Sequence, residues 1–251
     1  WTQYPPAKSF GESFVFDFMR GREGAEHCAA AIAKDLTEVG VSVNCAPVLD
    51  VLTDATHDVI GDRAFSSDPQ IVAALGAAMC KAYLDHGIIP IVKHIPGHGR
   101  AVSDSHKTLP KVEATLDDMN QTDFLPYAHL LTKPFSESVW GMVAHVVYTS
   151  IDPQAPSSCS RRVVHDIVRR QIGFDGLLLT DDIDMGALEL YGNAGSRAEK
   201  ALRAGCDVAL QCSGKMNDME SVAARITPMT AEAVIRYNRS VTWLSKNKIA
   251  A

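Results

Sequence analysis

Apolar positions recur along the chain in a fixed order: an alanine-rich amphipathic stretch, a glycine, and then a short run of β-branched residues that ends in polar side chains. The long stretches have the apolar spacing of helices, whereas the nearly continuous apolar runs are typical of strands buried on both faces. The pattern predicts helices at 22–39, 69–86, 116–132, 160–172, 195–204, 216–226 and 230–246, and strands at 41–50, 88–92, 139–147, 176–180 and 207–211. The segment 13–19 is interpreted as helical or irregular.

Strands that alternate with helices in this way indicate an α/β fold with a parallel sheet covered by helices. A (β/α)₈ barrel of the TIM type and a doubly wound sheet both satisfy the alternation. No low-complexity linker divides the sequence. We therefore expect residues 1–251 to form a single domain.

Polar side chains stand where each of the five strands is expected to end. In both parallel architectures the carboxyl ends of the strands form the functional face. A purely structural role explains one such residue easily, but it explains five consecutive cases poorly. The strand-end residues are Asn44, Asp50, Lys93, His94, His145, Tyr148, Thr180, Asp181, Asp182 and Gln211.

Composition and charge narrow the class of partner. The 251 residues carry a net charge of -6 with scattered Lys and Arg, so neither nucleic acid nor an anionic membrane is expected as a partner. No apolar run approaches the roughly 18 residues that cross a bilayer. Six dispersed cysteines favour free thiols in a reducing cytoplasm. We expect a soluble cytoplasmic protein with a small substrate, and its oligomeric state stays open.

The opening residues have the character of an internal loop. The chain begins Trp-Thr-Gln-Tyr-Pro-Pro and not with Met. The sequence is therefore expected to start inside a longer chain.

The segment 92–106 is the richest in reactive side chains. His94 and His98 have the i, i+4 spacing of a metal pair, but that geometry needs a helix, which Pro96 and Gly97 disfavour. The glycines match neither a dinucleotide-binding nor a P-loop spacing. No metal or cofactor is therefore expected, and the segment is interpreted as a mobile glycine-hinged loop.

This loop carries an Asp-x-His pair, Asp104 and His106. A carboxylate beside an imidazole can hold one tautomer and tune it for proton exchange near neutral pH. An ordinary solvent-exposed histidine is the alternative. The position above the strand ends favours the catalytic interpretation.

Three acids stand within four residues after the fourth predicted strand: Asp181, Asp182 and Asp184. Crowded carboxylates raise one another's pKa unless they bind cations, cap a helix or react. Helix capping explains Asp182 and Asp184, and the spacing does not continue as a calcium loop. Asp181, directly at the strand end, is the best candidate for a nucleophile.

Arg63 lies in a further polar loop, Gly-Asp-Arg at 61–63. Its rigid guanidinium could hold a substrate oxygen or carboxylate, and a surface ion pair with an aspartate is the equal alternative.

Taken in order, these motifs carry a family resemblance. Lys-His-Ile-Pro-Gly-His-Gly-Arg at 93–100, Asp-Ser-His at 104–106 and Leu-Thr-Asp-Asp-Ile-Asp-Met at 179–185 resemble the β-N-acetylhexosaminidases of glycoside hydrolase family 3. Further matches at 47–51, 61–63, 144–148 and 204–207 spread the resemblance over most of the chain. Among the family, the small bacterial enzymes of peptidoglycan recycling are the most similar.

The resemblance implies a role for each matching residue. Lys93 and His94 would bind sugar hydroxyls, and Arg63 would be a further substrate ligand. His106 would be the acid/base, oriented by Asp104, and Asp181 the nucleophile. The implied reaction removes terminal β-linked N-acetylglucosamine, with retention, from muropeptides that carry 1,6-anhydro-N-acetylmuramic acid.

One part of the family pattern has no match. Members normally begin with about three further strand and helix units, including an Asp-Gln-Glu-Gly-Gly-Arg-Val segment. A partial barrel of five units is therefore expected, where a closed one has eight. Two alternatives stay open: a catalytically silent sugar- or partner-binding remnant, and a family 3 β-glucosidase, which the Asp-x-His loop disfavours.

Overall fold

A parallel five-stranded sheet forms the centre of the protein in a computed structural model that describes residues 2–247. Its strands are β1 (Val43–Asn44), β2 (Ile89–Ile95), β4 (Trp140–Val143), β6 (Leu178–Asp182) and β7 (Val208–Leu210), and they lie side by side in that order. Two further short strands, β3 (Lys111–Val112) and β5 (Val147–Tyr148), pair in parallel nearby. The sheet is curled, as in part of a (β/α)₈ barrel, and this confirms the predicted fold class.

Helices cover the outer face of the sheet. They are α1 (Ala7–Phe16), α2 (Phe18–Glu38), α3 (Pro69–Asp85), α4 (Leu116–Gln121), α5 (Leu125–Leu131), a π-type helix (Arg162–Ile172), α6 (Ala194–Ala204), α7 (Met216–Ala223) and α8 (Ala231–Asn247). The predicted helices are confirmed to within a few residues, apart from 116–132, which is interrupted. The segment 13–19 proves helical on both sides of Asp17.

Local sequence signals explain where these helices begin and end. The Asp17 carboxylate accepts a hydrogen bond from the Arg20 N–H at the start of α2, and Asp68 caps α3 in the same way. Gly87, with a φ of 81°, follows α3 and turns the chain into β2. The buried faces of α2 and α3 are rich in alanine and glycine, so the two helices pack closely against each other, and α3 also packs against β2.

The structure corrects three predicted elements. The predicted strand 41–50 is reduced to Val43–Asn44, and beyond it Val48 forms an isolated bridge with Lys93 of β2. The predicted strand 139–147 is divided, because the chain leaves the main sheet after Val143 and forms β5 beside β3. The predicted helix 116–132 breaks at Thr122, where Asp123 and Thr122 turn to bind the Arg100 guanidinium. These departures come from contacts between distant segments, through backbone pairing in the strands and through side chains at Arg100, and apolar periodicity does not reveal them.

The strands leave one open rim of polar side chains. β1 and β7 each pair with one neighbour within residues 2–247, so this part of the sheet does not close on itself. The loop after β2 packs directly against the loop after β1. Gly99 lies so close to the Val51 carbonyl that a Cβ there would be 1.8 Å from the oxygen, so only glycine fits.

No helix among residues 2–247 is both long and apolar enough to span a bilayer.

Candidate active site

Asp181 lies at the carboxyl end of β6, where its side chain is 18% exposed. One carboxylate oxygen, Oδ1, accepts a hydrogen bond from the Asp182 N–H at 2.9 Å, and the other, Oδ2, is 3.9 Å from Nε2 of His94. Burial by itself raises the pKa of Asp181, but His94 above all, then His145, the hydrogen bond from the Asp182 N–H and Lys93, together outweigh it. The pKa therefore lies below its usual value, and the carboxylate is ionised at neutral pH.

His94 is held from behind by a second carboxylate, that of Asp50. Asp50 is fully buried, and its Oδ2 lies 2.7 Å from Nδ1 of His94. Its Oδ1 accepts hydrogen bonds from the backbone N–H groups of His94 and His98, at 3.1 and 2.7 Å. Asp50, His94 and Asp181 thus form a line of carboxylate, imidazole and carboxylate.

The loop that carries the Asp-x-His pair is attached to the rim at several points. Ser105 Oγ lies 3.2 Å from Nε2 of the buried His98. The backbone N–H groups of Gly186 and Ala187, which follow β6, donate to the carbonyls of His106 and Ser105 at 3.0 and 3.1 Å. The loop is therefore linked both to the segment after β2 and to the segment after Asp181.

Within this loop, Asp104 and His106 form a hydrogen-bonded pair. Nδ1 of His106 lies 2.8 Å from Oδ1 of Asp104, and the same oxygen accepts the His106 N–H at 2.9 Å. The His106 side chain is 61% exposed. The hydrogen bond from the His106 N–H is the main cause that lowers the pKa of Asp104. Nε2 of His106 is therefore the ring nitrogen free to exchange a proton with a bound molecule.

A small pocket of about 90 Å³ brings these side chains together. Five of the six residues singled out from the sequence line it directly, and the sixth, Asp104, is hydrogen-bonded to one of them. Arg63 donates through both Nε and Nη2 to the Val59 carbonyl, and this bond folds its guanidinium against the rim. The pocket is lined by Val59, Ile60, Arg63, Lys93, His94, His98, Ser105, His106 and Asp181.

The other two acids of the cluster have a different role from the predicted one. Asp182 and Asp184 were expected to cap a helix, but no side chain caps the 3₁₀ segment Gly186–Tyr191 that follows. Instead, Asp182 Oδ1 accepts from the Cys212 N–H, and Asp184 Oδ2 accepts from Gln211 Nε2. The two carboxylates bridge the loops after β6 and β7, so they stabilise the rim on which Asp181 stands.

Several of the strand-end residues contribute to structure and not to the pocket. The Tyr148 hydroxyl donates to the Gly97 carbonyl at 2.7 Å, and Thr180 Oγ1 accepts the Leu210 N–H. His145 is fully buried, with its ring nitrogens 2.7 Å from Ser158 Oγ and 3.0 Å from the Asp182 carbonyl. Burial lowers the pKa of His145.

Asp50, His98 and Ser105 join the site without having been assigned to it from the sequence. Asp50 had the right signal, a polar residue at the end of a predicted strand, but nothing in the spacing pairs it with His94. His98 was considered from the sequence only as a metal ligand with His94, and Ser105 has no distinguishing signal. Their contact depends on how the loop folds back. Tertiary contact alone identifies these three.

Comparison with protein families identifies one that covers nearly the whole chain. Residues 1–240 match the family described as the glycosyl hydrolase family 3 N-terminal domain. The chain is similar to a β-hexosaminidase of Pseudomonas aeruginosa, with 36% identity over 218 residues, which is 85% of this chain and 64% of that protein. A β-hexosaminidase of Thiobacillus denitrificans is 38% identical over 213 residues, covering 85% and 58% of the two chains. The chain thus spans less than two thirds of the length of these relatives.

Solved structures give a matching result. NagZ from Neisseria gonorrhoeae in complex with N-trifluoroacetyl-D-glucosamine aligns with a TM-score of 0.83 and 29% identity, over 96% of this chain and 68% of that one. A family 3 β-N-acetylglucosaminidase from Paenibacillus sp. str. FPU-7 aligns with a TM-score of 0.76 and 28% identity, over 90% of this chain and 43% of that one.

Proposed function

The chain belongs to glycosyl hydrolase family 3, and we propose that it acts as a retaining β-N-acetylglucosaminidase. The observation that carries this proposal is the pocket that Asp181 and His106 line together. Asp181 supplies a half-buried, ionised carboxylate, and His106 supplies an exposed imidazole paired with Asp104. A nucleophile and a proton carrier on one small pocket are what a two-step glycosyl transfer requires.

In the first step, an oxygen of Asp181 attacks the anomeric carbon of the sugar while the bond to the leaving oxygen breaks. His106 gives its Nε2 proton to that oxygen, so the aglycone leaves as an alcohol. The product is a glycosyl ester on Asp181. The usual second carboxylic acid of glycosidases is here replaced by the pair of His106 and Asp104.

In the second step, water attacks the same carbon from the side that the aglycone left. His106, now neutral, takes a proton from the water, the ester bond breaks, and Asp181 returns to its ionised form. Two inversions give net retention. Since His106 is exposed on its loop, water can reach it between the two steps.

Lys93, His94 and Arg63 would bind the sugar. Their side chains line the pocket beside Asp181, and all three carry donors that suit the hydroxyl oxygens of a sugar. The names of the relatives support N-acetylhexosamine as the sugar class. We extend the proposal to terminal N-acetylglucosamine on 1,6-anhydro-N-acetylmuramic acid muropeptides, which places the enzyme in cytoplasmic peptidoglycan recycling.

The proposal is tested by the release of 4-nitrophenol from its β-N-acetylglucosaminide. Asp181→Ala is expected to lose at least about 10³-fold in kcat, because no other group can form the ester. Asp117→Ala, which removes an exposed carboxylate on α4 outside the pocket, is the control and should retain most activity. Equal rates for wild type and Asp181→Ala would exclude Asp181 as the nucleophile.

The same assay separates the two alternatives. Binding of N-acetylglucosamine without any turnover would identify a silent sugar-binding protein. Faster cleavage of the plain β-glucoside would identify a β-glucosidase.

A further inference from the structure

We propose that Asp50 is a positioning residue of this reaction: it fixes the proton of His94 on Nδ1, aims Nε2 at Asp181 and so keeps the nucleophile ionised. The inference rests on the proposed function of Asp181 and extends it to a residue that does not line the pocket. The Asp50 carboxylate contacts the His94 ring, and the opposite edge of that ring faces Asp181.

Asp50 uses both of its carboxylate oxygens within a fully buried site. Oδ1 accepts the two backbone N–H groups of His94 and His98, and Oδ2 is 2.7 Å from the His94 ring. Burial alone would raise the pKa of Asp50, but His94 above all lowers it to about 2. Asp50 is therefore an acceptor at every pH at which the enzyme would work.

An ionised acceptor at Nδ1 determines the state of the His94 ring. Because Asp50 has no proton to give, the short contact requires that Nδ1 of His94 carries one. Nε2 is then directed at Asp181 Oδ2, 3.9 Å away. This distance is too long for a hydrogen bond but short enough for a strong interaction between charges.

Few other groups can set the charge of Asp181. Lys93 and His145 also face it, but burial lowers the pKa of His145, so that ring is predominantly neutral near pH 7. Three further titratable groups face Asp50 on the side of it away from Asp181: His98, Tyr127 and Tyr148. The pKa of His98 is lowered to about 4, and burial raises the pKa of both phenols, so all three are neutral near pH 7. Among these groups His94 is the one that Asp50 holds directly, and its effect is the largest of those that lower the pKa of Asp181.

The first measurement is the position of the proton on His94, read from ¹⁵N and ¹³C chemical shifts of the full chain labelled at its nine histidines. The His94→Gln spectrum assigns the signal. The expected result is a proton on Nδ1, with or without a second proton on Nε2. A proton on Nε2 alone would overturn the inference, and this readout does not depend on turnover or on a stable Asp50 variant.

The second measurement is the pH dependence of kcat/KM for Asp50→Asn. Without the Asp50 carboxylate, the His94 ring is no longer aimed at Asp181. The acid limb, which reports Asp181, is therefore expected to move upward by about one pH unit, the order by which an opposite charge at this range shifts a carboxyl. Asp123→Asn is the matched control: Asp123 is an equally buried carboxylate, but it pairs with Arg100 and contacts neither His94 nor Asp181. Its acid limb should stay at the wild-type pH.

A second variant keeps the test decisive if Asp50→Asn does not fold. His94→Gln removes the imidazole that lowers the pKa of Asp181 and should move the acid limb by a similar amount. An unmoved limb in either folded variant would overturn the proposal and leave Asp50 a purely structural residue. Absence of hydrolysis by the wild-type chain would instead contradict the proposed function, while the His94 proton position would still test the inference.

Discussion

Oδ1 of Asp104 accepts two hydrogen bonds from His106, one from the ring Nδ1 at 2.8 Å and one from the backbone N–H at 2.9 Å. The two side chains differ in exposure, with 61% of His106 and 16% of Asp104 open to solvent. Packing therefore does little to orient the imidazole. A single carboxylate oxygen determines both the ring's direction and the nitrogen that carries its outer proton.

Asp104→Asn is expected to lower kcat by about 10²-fold, within the range of a general acid/base contribution. The amide cannot stabilise the imidazolium, and it can present its own N–H to the ring and so favour the wrong tautomer. The measurement is the pH-rate profile on the 4-nitrophenyl substrate. If the variant has the same rate and the same pH profile as the wild type, the Asp104–His106 pair has no part in the chemistry.

The lowered pKa of Asp181 predicts the acid side of that profile. The reaction needs the carboxylate ionised, so kcat/KM should fall only as the pH drops through the pKa of Asp181, below its ordinary value of 3.8. Rates measured between pH 3 and 7, with folding checked at each point by circular dichroism, test this. An acid limb above about pH 5 in a folded enzyme would contradict the charge balance described for the site.

Ser105 should act on the loop and not on the chemistry itself. Ser105→Ala removes the contact with His98 but leaves the backbone bonds from Gly186 and Ala187. We expect kcat and KM to change together, by up to about 10-fold, the worth of one hydrogen bond. Ser103→Ala, in the same loop, serves as the control. A change confined to kcat would place Ser105 in the chemical step.

His98 predicts a separate effect of pH on stability. Burial lowers its pKa from 6.5 to about 4, so the unfolded chain takes up a proton before the folded one does. The free energy of unfolding should therefore decrease as pH falls from about 6.5 to about 4, by about 3 kcal/mol. Urea unfolding at a series of pH values measures it. In His98→Gln this decrease should shrink by the same amount; an unchanged slope would assign the effect to other groups.

Sequence alone predicts the five parallel strands and most of the helices. Apolar periodicity, aspartate N-caps and glycines at helix ends are all local features, each contained in a single helix or strand and its ends. It also identifies the residues that come together, since parallel strands bring their carboxyl ends to one rim. Arg63, Lys93, His94, His106 and Asp181 meet there for that reason.

What sequence does not predict is the set of contacts behind the rim. The bond between Asp50 and His94 joins residues 44 positions apart, and it depends on how two loops approach each other. The bridging of β6 and β7 by Asp182 and Asp184 is likewise a tertiary arrangement, so local reasoning mistook these acids for helix caps. Such contacts determine the protonation of the site, although they leave no local pattern.

The central claim, a glycosyl ester on Asp181, is tested most directly in the His106→Ala variant. Nitrophenol leaves with little help from an acid, whereas hydrolysis of the ester needs a base, so the intermediate should accumulate. Mass spectrometry of the quenched protein and its peptides is expected to find one N-acetylglucosaminyl group on Asp181. Steady turnover with no adduct, or an adduct on a different residue, would contradict the account.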